Sequence, residues 1–374
     1  MIKINEKCTG CFACSSICPY HAIVSKLDSE GFEYPVIDKN KCKNCGLCEK
    51  ACPNLLPKES REPVYYAVQN KNKNQRKQSQ SGGLFSALAT VVIAEGGVCY
   101  GAGFIDNFNV AQIRVDDISD LYKLQGSKYV QSKVEHSYEL VESDLRNKKK
   151  VLYSGTSCII AGLLAFLSVK KVSTVGLITC DLICHGVPSP LLWKNNIERQ
   201  TKKYGEIQSV NFRDKKNGWH SHIESYAFKN GKIIDEKFYT DLFYSHVALR
   251  KSCYECRYIK NEEKPADITM ADFWGITEAT IDIEDDNTGI SLAVLRTDKG
   301  EELLRKSNLL VCNIDAVSAM VNNMNSPAKP PIWKEKFWRD YKAKGYEYCL
   351  KKYSIYGGLW FKIKRRVLKK MGKW

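Results

Sequence analysis

Near its start the chain carries the run Cys8-Thr-Gly-Cys11-Phe-Ala-Cys14-Ser-Ser-Ile-Cys18-Pro19, and the same spacing returns in Cys42-Lys-Asn-Cys45-Gly-Leu-Cys48-Glu-Lys-Ala-Cys52-Pro53. This C-x2-C-x2-C-x3-C-P spacing holds pairs of [4Fe–4S] clusters, in which the fourth cysteine of each run ligates the other cluster. We therefore predict one cluster on Cys8, Cys11, Cys14 and Cys52, and a second on Cys18, Cys42, Cys45 and Cys48. Electron transfer is the function that this motif indicates.

Disulfide bonds and zinc are the alternative explanations for these eight cysteines. The first cysteine follows Met1 so closely that we expect no targeting segment, and hence a cytoplasmic protein in which disulfides are rare. Zinc sites do not require two matched runs with trailing prolines, so the cluster interpretation is favoured. Gly10 and Gly46 fall inside the two cysteine loops, where the absence of a Cβ atom permits a left-handed backbone.

Length and charge limit the remaining possibilities. The 374 residues suggest two or three domains, and no apolar stretch approaches the roughly 18 residues that a membrane span requires. The net charge is +15, and residues 331–374 alone contain 14 Lys/Arg against 3 Asp/Glu. Because most of the surplus lies in this tail and no nucleic-acid-binding motif is present, we expect no nucleic-acid partner.

Hydrophobic patterning predicts an α/β fold, with a mixed α+β core of βα units preceded by a small α+β ferredoxin-like dicluster domain. The predicted strands lie at 22–24, 32–37, 64–68, 98–104, 111–115, 151–155 and 174–184, and the predicted helices at 84–94 and 158–167. A turn at Asn230-Gly231 predicts a hairpin within residues 209–240. The expected domains are 1–60, then 61–145 and 146–325 as two parts of one larger region, and 326–374 as a basic aromatic tail.

Two strand-to-helix turns are candidate phosphate sites. Ser81-Gly82-Gly83 and Ser154-Gly-Thr-Ser157 each precede a predicted helix, whose free N–H groups and positive dipole end favour an anion. Either turn alone is better explained by ordinary helix capping or by the end of a strand. Two such turns attached to an iron–sulfur module favour a nucleotide cofactor.

Eight further cysteines lie outside the two runs, and four of them are candidate ligands of a third centre. Cys253-Tyr-Glu-Cys256 has the spacing of a ligand pair, Cys158 begins a predicted helix that favours its thiolate, and Cys184 ends a predicted buried strand. Strand ends and helix starts of one α/β sheet can meet in a single crevice. A third cluster, a zinc site and ordinary buried cysteines all stay open at this point.

Six motifs occur in an order that is specific to one family: Ser81-Gly-Gly-Leu-Phe-Ser-Ala-Leu, Gly126-Ser-Lys-Tyr-Val-Gln-Ser132, Gly155-Thr-Ser-Cys158, Cys184-His-Gly-Val-Pro-Ser-Pro190, Asn211-Phe-Arg-Asp-Lys215 and Asp272-Phe-Trp-Gly275. With them, the chain resembles the beta subunits of coenzyme F420 hydrogenase and formate dehydrogenase, from the ferredoxin-like part to about residue 320. The resemblance implies a flavoprotein that binds FAD and a [4Fe–4S] cluster, and that passes electrons between clusters and an organic acceptor through the flavin.

The resemblance also implies roles for individual residues. The flavin site would comprise Ser81, Gly82, Gly83, Ser127, Lys128, Gly155 and Thr156. A third [4Fe–4S] cluster would be held by Cys158, Cys184, Cys253 and Cys256. The family pattern Gly-Thr-Pro-Cys-Gln is here Gly155-Thr-Ser-Cys158-Ile159, so the acceptor cannot be carried over from the family.

Lys128 and His185 are the candidate catalytic residues. Lys128 would stabilise negative charge near the reduced flavin or its phosphate, and the alternative is a solvated lysine. His185, together with His220, is a candidate proton donor because imidazole titrates near neutral pH. A histidine without a demonstrated partner is more often structural, which is the alternative for both.

The C-terminal tail places Trp360, Ile363, Val367, Met371 and Trp374 on one helical stripe among Lys and Arg side chains. This pattern is typical of helices that bind a membrane surface, and the alternative is a terminal helix docked on the protein's own core. The resemblance extends to bacterial proteins of cell-surface polysaccharide biosynthesis, whose lipid-linked intermediates lie at the membrane. We therefore expect peripheral contact with the inner face of the membrane through this tail.

The function predicted from the sequence is that of an iron–sulfur flavoprotein oxidoreductase. Its expected partners are a ferredoxin or a similar electron donor or acceptor, and an organic substrate that the sequence does not identify. The alternative is a non-catalytic electron-transfer subunit that feeds a partner enzyme.

Overall fold

The computed structural model describes residues 2, 4–57, 60–354, 363, 366, 367 and 370. Its strands are β1 (Ile23–Leu27), β2 (Glu33–Ile37), β3 (Val64–Asn70), β4 (Val98–Phe104), β5 (Val110–Val115), β6 (Val151–Ser154), β7 (Leu177–Leu182), β8 (Ile207–Asp214), β9 (Ile223–Phe228), β10 (Ile233–Glu236), β11 (Ile268–Asp272), β12 (Ser291–Leu295) and β13 (Leu309–Ile314). Its α-helices are α1 (Ala13–Ser16), α2 (Leu47–Lys50), α3 (Lys73–Gln78), α4 (Leu84–Ala94), α5 (Ser137–Arg146), α6 (Ser157–Val169), α7 (Pro190–Tyr204), α8 (Phe238–Tyr244), α9 (Asp298–Lys306), α10 (Ala316–Ala319) and α11 (Lys334–Tyr353).

The N-terminal module, residues 4–57, is a small α+β unit. Its two strands, β1 and β2, pair antiparallel with Ile23 opposite Ile37, which confirms the two strands predicted here. Gly10 and Gly46 have φ angles of 73° and 77°, so both cysteine loops use the left-handed backbone that glycine permits. The local structure of the module therefore follows from the cysteine runs and the glycines within them.

The main body, residues 60–354, is built on an eight-stranded sheet of order β13-β3-β12-β11-β7-β6-β4-β5. Four consecutive strands of this sheet run parallel to one another, namely β11, β7, β6 and β4. The remaining pairs of neighbouring strands are antiparallel: β4 with β5, β11 with β12, β12 with β3, and β3 with β13. The carboxyl ends of the parallel strands consequently meet at one edge of the sheet, here called the carboxyl edge. The arrangement confirms the mixed α/β fold with βα units, and ligands of such sheets bind at this edge.

Helices cover both faces of the large sheet. Strand residues alternate between the faces, so that Leu152 packs with α4 and α9 whereas Val151 and Tyr153 pack with α5 and α6. Helix α4 has the predicted bounds, and α6 extends the predicted helix at both ends. The predicted strand 174–184 is shorter, because its ends leave the sheet for a turn and for the loop that contains Cys184.

A separate antiparallel sheet of three strands, β8-β9-β10, stands beside the main sheet. The turn between β9 and β10 is formed at Asn230-Gly231, where Gly231 has a φ of 83°, and this confirms the predicted hairpin. Aromatic residues such as Trp193, Tyr239 and Phe337 join this sheet to α7, α8 and α11 in one apolar core. The domain boundaries given above stay predictions.

The apolar stripe predicted to bind membranes, within residues 359–374 of the tail, lies mostly outside the described residues. Of this stripe, Ile363 and Val367 are described and are about half exposed, whereas Trp360, Met371 and Trp374 lie outside. In the part of the chain that the structure describes, no helix combines the length and the apolar character needed to cross a membrane.

Helix α6 makes a close contact with the N-terminal module at Gly162. A Cβ atom at this position would lie 2.9 Å from Cβ of Cys11, 3.0 Å from its Sγ atom and 2.7 Å from the hydroxyl of Tyr138. Cys158 lies one turn earlier on the same face of α6. The glycine thus lets Cys11 approach the helix that carries Cys158.

Gly162→Ala is expected to destabilise the protein by about 1–3 kcal/mol. Overpacking against Cys11 outweighs the gain of about 1 kcal/mol that alanine brings to a helix interior. Denaturant unfolding of anaerobically purified protein measures the change. Gly101→Ala is the matched control, because Gly101 is also buried but its added Cβ atom would meet its nearest neighbour at an ordinary 3.6 Å. Equal changes in the two variants would contradict the close contact.

Candidate functional site

Four of the predicted ligands surround one small cavity in the N-terminal module. The outer cysteine set, Cys18, Cys42, Cys45 and Cys48, lines a cavity of about 20 Å³. This grouping includes Cys18, the residue that crosses over from the first run, as the sequence predicts. Cys45 is exposed, so the outer set reaches the protein surface.

The inner cysteine set, Cys8, Cys11, Cys14 and Cys52, lies deeper in the protein. Burial raises the pKa of Cys11 to about 12, with smaller contributions from the charges of Cys8 and Cys158. Burial also raises the pKa of Cys14, and Cys8 and Cys52 add to this effect. Buried thiolates require a cationic partner, and the iron of a [4Fe–4S] cluster is one that four cysteines suit.

The third cysteine set, Cys158, Cys184, Cys253 and Cys256, lines a single cavity of about 340 Å³. Lys7 and Asn54 of the N-terminal module line the same cavity, which therefore lies where the module meets the main body. Among the described residues, no three His, Cys, Asp or Glu side chains converge closely enough to hold a single metal ion. Four thiolates around a cavity suit a cluster of several metal atoms.

Cys158 differs from the prediction that the helix start favours its thiolate. It lies in the first turn of α6, and its sulfur is 3.1 Å from the hydroxyl oxygen of Thr156. Burial nevertheless raises the pKa of Cys158, and the hydrogen bond with Thr156 lowers it only in part. The prediction is wrong because desolvation outweighs the helix terminus at this position.

The three cysteine sets form a continuous series. Cys14 of the inner set lies near enough to Cys48 of the outer set for that charge to contribute to its raised pKa. Cys11 of the inner set packs on Gly162, one helical turn from Cys158 of the third set. The series therefore runs from the exposed Cys45 to the cavity at the carboxyl edge of the main sheet.

A fully buried arginine, Arg250, joins the N-terminal module to the main body. Its guanidinium group donates hydrogen bonds to the carbonyl of Cys8 at 2.8 Å, the carbonyl of Glu33 at 3.0 Å and the side-chain oxygen of Gln131 at 3.1 Å. The ring centre of Tyr34 lies 4.1 Å from the guanidinium carbon, which is a cation–π contact. All of these partners lie far from Arg250 in sequence.

The backbone of Arg250 also supports the third cysteine set. Its N–H group donates to the carbonyl of Val187 at 3.0 Å, and its carbonyl accepts from the N–H group of Cys253 at 2.9 Å. The N–H groups of Val187 and Gly186 lie 3.4 Å and 3.3 Å from the sulfur atoms of Cys253 and Cys184. Such N–H···S hydrogen bonds help to set the potential of an iron–sulfur cluster.

The predicted flavin residues fall into two groups at the carboxyl edge, and Ser81, Gly82 and Gly83 belong to the first. A Cβ atom on Gly82 would lie 2.6 Å from the backbone nitrogen of Ser291, and Gly83 has a φ of 81°, so both glycines are required by the local packing and turn. The hydroxyl of Ser81 donates to the carbonyl of Ile290 at 2.8 Å. These contacts place the loop between β3 and β12.

Ser127 and Lys128 are connected to the first group by Gln125, which contacts α4, the helix that follows Gly83. The side chain of Gln125 donates to the hydroxyl of Ser86 in α4 at 3.0 Å. The ammonium group of Lys128 donates to the carbonyls of Gln125 at 2.7 Å and Lys123 at 3.1 Å. Burial lowers the pKa of Lys128 to about 7. Lys128 is thus held by the protein rather than freely solvated, and Ser127 beside it is partly buried.

Gly155 and Thr156 form the second group, between β6 and α6, where Thr156 lines the same cavity as the third cysteine set.

Gln112 of β5 lies beside this second group, and sequence reasoning missed it. Its amide nitrogen donates to the hydroxyl of Ser132 at 2.8 Å. A Cβ atom added to Gly155 would lie 3.6 Å from that nitrogen. The buried amide oxygen of Gln112 has no hydrogen-bond partner among the described residues. This oxygen is therefore available to accept a hydrogen bond from a donor outside the chain.

The two candidate histidines have different surroundings. His185 lines the cavity of the third cysteine set and packs against Tyr244, with 5.8 Å between the ring centres. Burial lowers the pKa of His185 to about 4, so its imidazole does not titrate near neutral pH as the sequence suggested. His220 is exposed, and its Nε2 atom lies 3.2 Å from the carboxylate of Asp285.

Arg213 and Asp272 are polar residues to which sequence reasoning gave no role. Arg213 and Asp272 form a salt bridge of 2.6 Å. The only sign of this pair in the sequence was that two of the six motifs contain residues of opposite charge. Beside them the ring of Trp274 stacks on Trp219, with 4.8 Å between the centres and 4° between the planes. The Nε atom of Arg213 is buried without a hydrogen-bond partner among the described residues.

Comparison with known families accounts for this arrangement. Residues 148–310 match the family model for the C terminus of the coenzyme F420 hydrogenase/dehydrogenase beta subunit, and residues 7–54 match the model "4Fe-4S dicluster domain". The chain therefore combines a 4Fe-4S dicluster domain with a region similar to the C terminus of the coenzyme F420 hydrogenase/dehydrogenase beta subunit. The dicluster domain supports the two N-terminal [4Fe–4S] clusters, so the chain is an iron–sulfur electron-transfer protein related to these beta subunits.

Similar proteins match over limited parts of the chain. It is 40% identical to Ferredoxin-3 of Chlorobaculum tepidum over 60 residues, which are 16% of this chain and 89% of the relative. It is 41% identical over 49 residues to one subunit of the Na⁺-translocating ferredoxin:NAD⁺ oxidoreductase complex of Acetobacterium woodii, and these are 13% of this chain and only 14% of the relative. A chain of the F420-reducing [NiFe] hydrogenase complex from Methanosarcina barkeri, studied as a xenon derivative, superposes with a TM-score of 0.48 and 18% identity, over 69% of this chain and 84% of that chain.

Arg250→Met is expected to destabilise the protein by about 3 kcal/mol, because it leaves three partly buried acceptors without their donor and removes a fully buried side chain. Arg250→Lys is expected to recover only part of this loss, since one ammonium group cannot reach all three acceptors. Denaturant unfolding under anaerobic conditions measures both variants.

Arg146→Met is the control for the loss of an arginine. Arg146 is exposed and pairs with Glu142 at 2.9 Å within α5, so its removal is expected to change stability by less than about 0.5 kcal/mol. An equally small change in Arg250→Met would show that the module does not depend on the buried guanidinium.

Proposed function

We propose that this chain is an iron–sulfur flavoprotein oxidoreductase that passes electrons between its N-terminal [4Fe–4S] clusters, a third [4Fe–4S] cluster and FAD, and so to or from an organic substrate. The observation that carries the proposal is the series of three cysteine sets that ends in the 340 Å³ cavity beside Thr156. When bound, clusters exchange single electrons and a flavin converts between single electrons and pairs.

The surroundings of the third cysteine set support a cluster there. Lys264 lines the cavity, and its buried ammonium group donates to the hydroxyl of Ser157 at 2.9 Å and to the carbonyl of Leu182 at 2.8 Å. A fixed cation at this point offsets the negative charge of four thiolates in a buried site. The N–H groups of Gly186 and Val187 add hydrogen bonds to two of the sulfur atoms.

The distance between the two groups of predicted flavin-binding residues supports an elongated cofactor. The Ser81 loop lies between β3 and β12, whereas Gly155 follows β6, three to four strands away, or about 14–19 Å at the usual strand spacing. A ligand that touches both groups must be elongated, as a dinucleotide is. The free amide oxygen of Gln112 suits the N–H group of a flavin ring, and Lys128 offers a cation for a phosphate or for negative charge on the ring.

The basic tail, the family resemblance and the dicluster domain support proposals on location, pathway and electron partner. A cytoplasmic protein at the inner face of the membrane, acting in polysaccharide biosynthesis, is supported by the basic tail and by the family resemblance. A ferredoxin as the electron donor or acceptor is supported by the dicluster domain. If no flavin is bound, the chain is instead an electron-transfer subunit that feeds a partner enzyme.

Anaerobically purified protein is expected to contain about twelve iron atoms and one flavin per chain, and the variant Cys253→Ser/Cys256→Ser about eight iron atoms. The loss is expected because two of the four ligands of the third cluster are removed. Iron analysis and the absorbance spectrum measure both quantities. Cys312→Ser is the control, because Cys312 lies outside the three sets, and it is expected to keep about twelve. Eight iron atoms in the unmodified protein would contradict the third cluster.

Gln112→Ala is expected to weaken flavin binding about tenfold, because it removes a buried hydrogen-bonding amide worth about 1–2 kcal/mol, while the iron content stays unchanged. Titration of flavin-depleted protein with FAD, followed by fluorescence, measures the affinity. Gln200→Ala is the matched control, since Gln200 is another buried glutamine with an unsatisfied amide oxygen but lies in α7. Equal affinities for the two variants would remove Gln112 from the site.

A further inference from the structure

The N-terminal module has a positively charged surface that its amino-acid composition does not reveal. Residues 19–50 contain five lysines and five acidic residues, so their charges cancel in the sequence. In the structure all five lysines are exposed, whereas all five acidic residues are partly buried. The lysines are Lys26, Lys39, Lys41, Lys43 and Lys50, and the acidic residues are Asp28, Glu30, Glu33, Asp38 and Glu49.

The acidic side chains are engaged within the protein. Asp28 and Asp38 accept hydrogen bonds at 2.9 Å from backbone N–H groups of their own loops. Glu33 and Glu30 form ion pairs with lysines of the main body, at 3.1 Å and 3.7 Å. The five exposed lysines, in contrast, form no ion pair with any described residue, so their charges face solvent.

Part of this positive charge lies beside the outer cysteine set. Lys41 and Lys43 flank Cys42, and Lys43 lines the cavity that the outer set encloses. Tyr20 lines the same cavity and is 45% exposed, beside the exposed Cys45. An exposed aromatic residue beside exposed charges suits the small, electrostatically steered contacts of transient redox partners.

We propose that the docking surface formed by Tyr20, Lys39, Lys41, Lys43, Cys45 and Lys50 binds an acidic one-electron carrier protein. The inference rests on the proposed function, because the outer set must hold a cluster for the surface to conduct electrons. One electron passes from the reduced carrier to that cluster, so the carrier is oxidised by one electron, the chain is reduced by one, and no bond or proton is transferred.

Charge explains why the carrier would be acidic and why it would dock here. Unpaired lysines attract an anionic partner over about 10 Å at moderate ionic strength and orient it before contact. Among the twelve cysteines of the three sets, Cys45 is the exposed one, so the outer set offers the most accessible approach. The surface therefore determines both the partner's charge and the cluster that it meets first.

The test compares the full-length protein with a variant that carries Lys39→Gln, Lys41→Gln, Lys43→Gln and Lys50→Gln. The probe is an acidic 2[4Fe–4S] ferredoxin, used oxidised for calorimetric binding, and reduced and desalted for stopped-flow electron transfer. The unmodified protein is expected to bind it and to be reduced at a rate that falls steeply with salt. The variant is expected to react at least about tenfold more slowly at low salt, with weaker binding and little salt dependence.

Two controls separate docking from cluster integrity. Reduced methyl viologen is a small cation that does not need the lysines, and it is expected to reduce the variant no more slowly than the unmodified protein. A second variant with Lys148→Gln, Lys171→Gln, Lys202→Gln and Lys232→Gln loses four exposed lysines of the main body. It is expected to behave as the unmodified protein does with ferredoxin.

Several results would overturn the docking surface. Unchanged affinity, rate and salt dependence in the first variant would do so, as would an equal loss in the second. Unchanged ferredoxin binding together with lost binding to anionic liposomes would assign the lysines to a membrane instead. Failure of methyl viologen to reduce any cluster would contradict the proposed function, and the calorimetric binding would then decide the docking surface alone.

Discussion

One buried guanidinium group joins the N-terminal module to the main body between the inner and the third cysteine sets. Arg250 extends from the main body into the N-terminal module, where carbonyls of Cys8 and Glu33 replace the water that its charge has lost. Its backbone pairs at the same time with Val187 and Cys253 beside the third set. Because a buried charge is stable only when its hydrogen-bonding groups are satisfied, the two parts cannot separate here without a large loss of stability.

Positive charge has two different roles along the series. Near the third set it is buried, as in Lys264, whose ammonium group lines the cavity and lies 3.7 Å from the carboxylate of Asp181. Around the outer set it is exposed, as in Lys43, which forms no ion pair with the residues that the structure describes and whose charge is screened by salt. In our proposals, the same type of side chain supports a cofactor inside the protein and recognition at its surface.

Local features were predictable from the sequence and distant contacts were not. The cysteine runs, the glycine turns and helix α4 follow from spacings within a few residues, and the structure confirms the turns and the helix. Arg250 had no such signal, because its bond to Cys8 joins residues 242 positions apart. The unsatisfied oxygen of Gln112 and the low pKa of His185 both result from burial by distant parts of the chain. The residue pattern of a single strand or loop does not reveal such burial. The positive surface was hidden in part because the ion pairs of Glu30 and Glu33 with lysines of the main body are also a tertiary effect.

In the electron path that we propose, electrons from the N-terminal clusters reach the flavin through the third cysteine set. Stopped-flow absorbance after mixing with a reduced 2[4Fe–4S] ferredoxin, which donates single electrons to the N-terminal clusters, tests this path in the unmodified protein and in Cys253→Ser/Cys256→Ser. The account predicts that the N-terminal clusters bleach in both proteins, and that the flavin is reduced promptly in the unmodified protein but at least about a hundredfold more slowly in the variant. Flavin reduction at the same rate in both would contradict it.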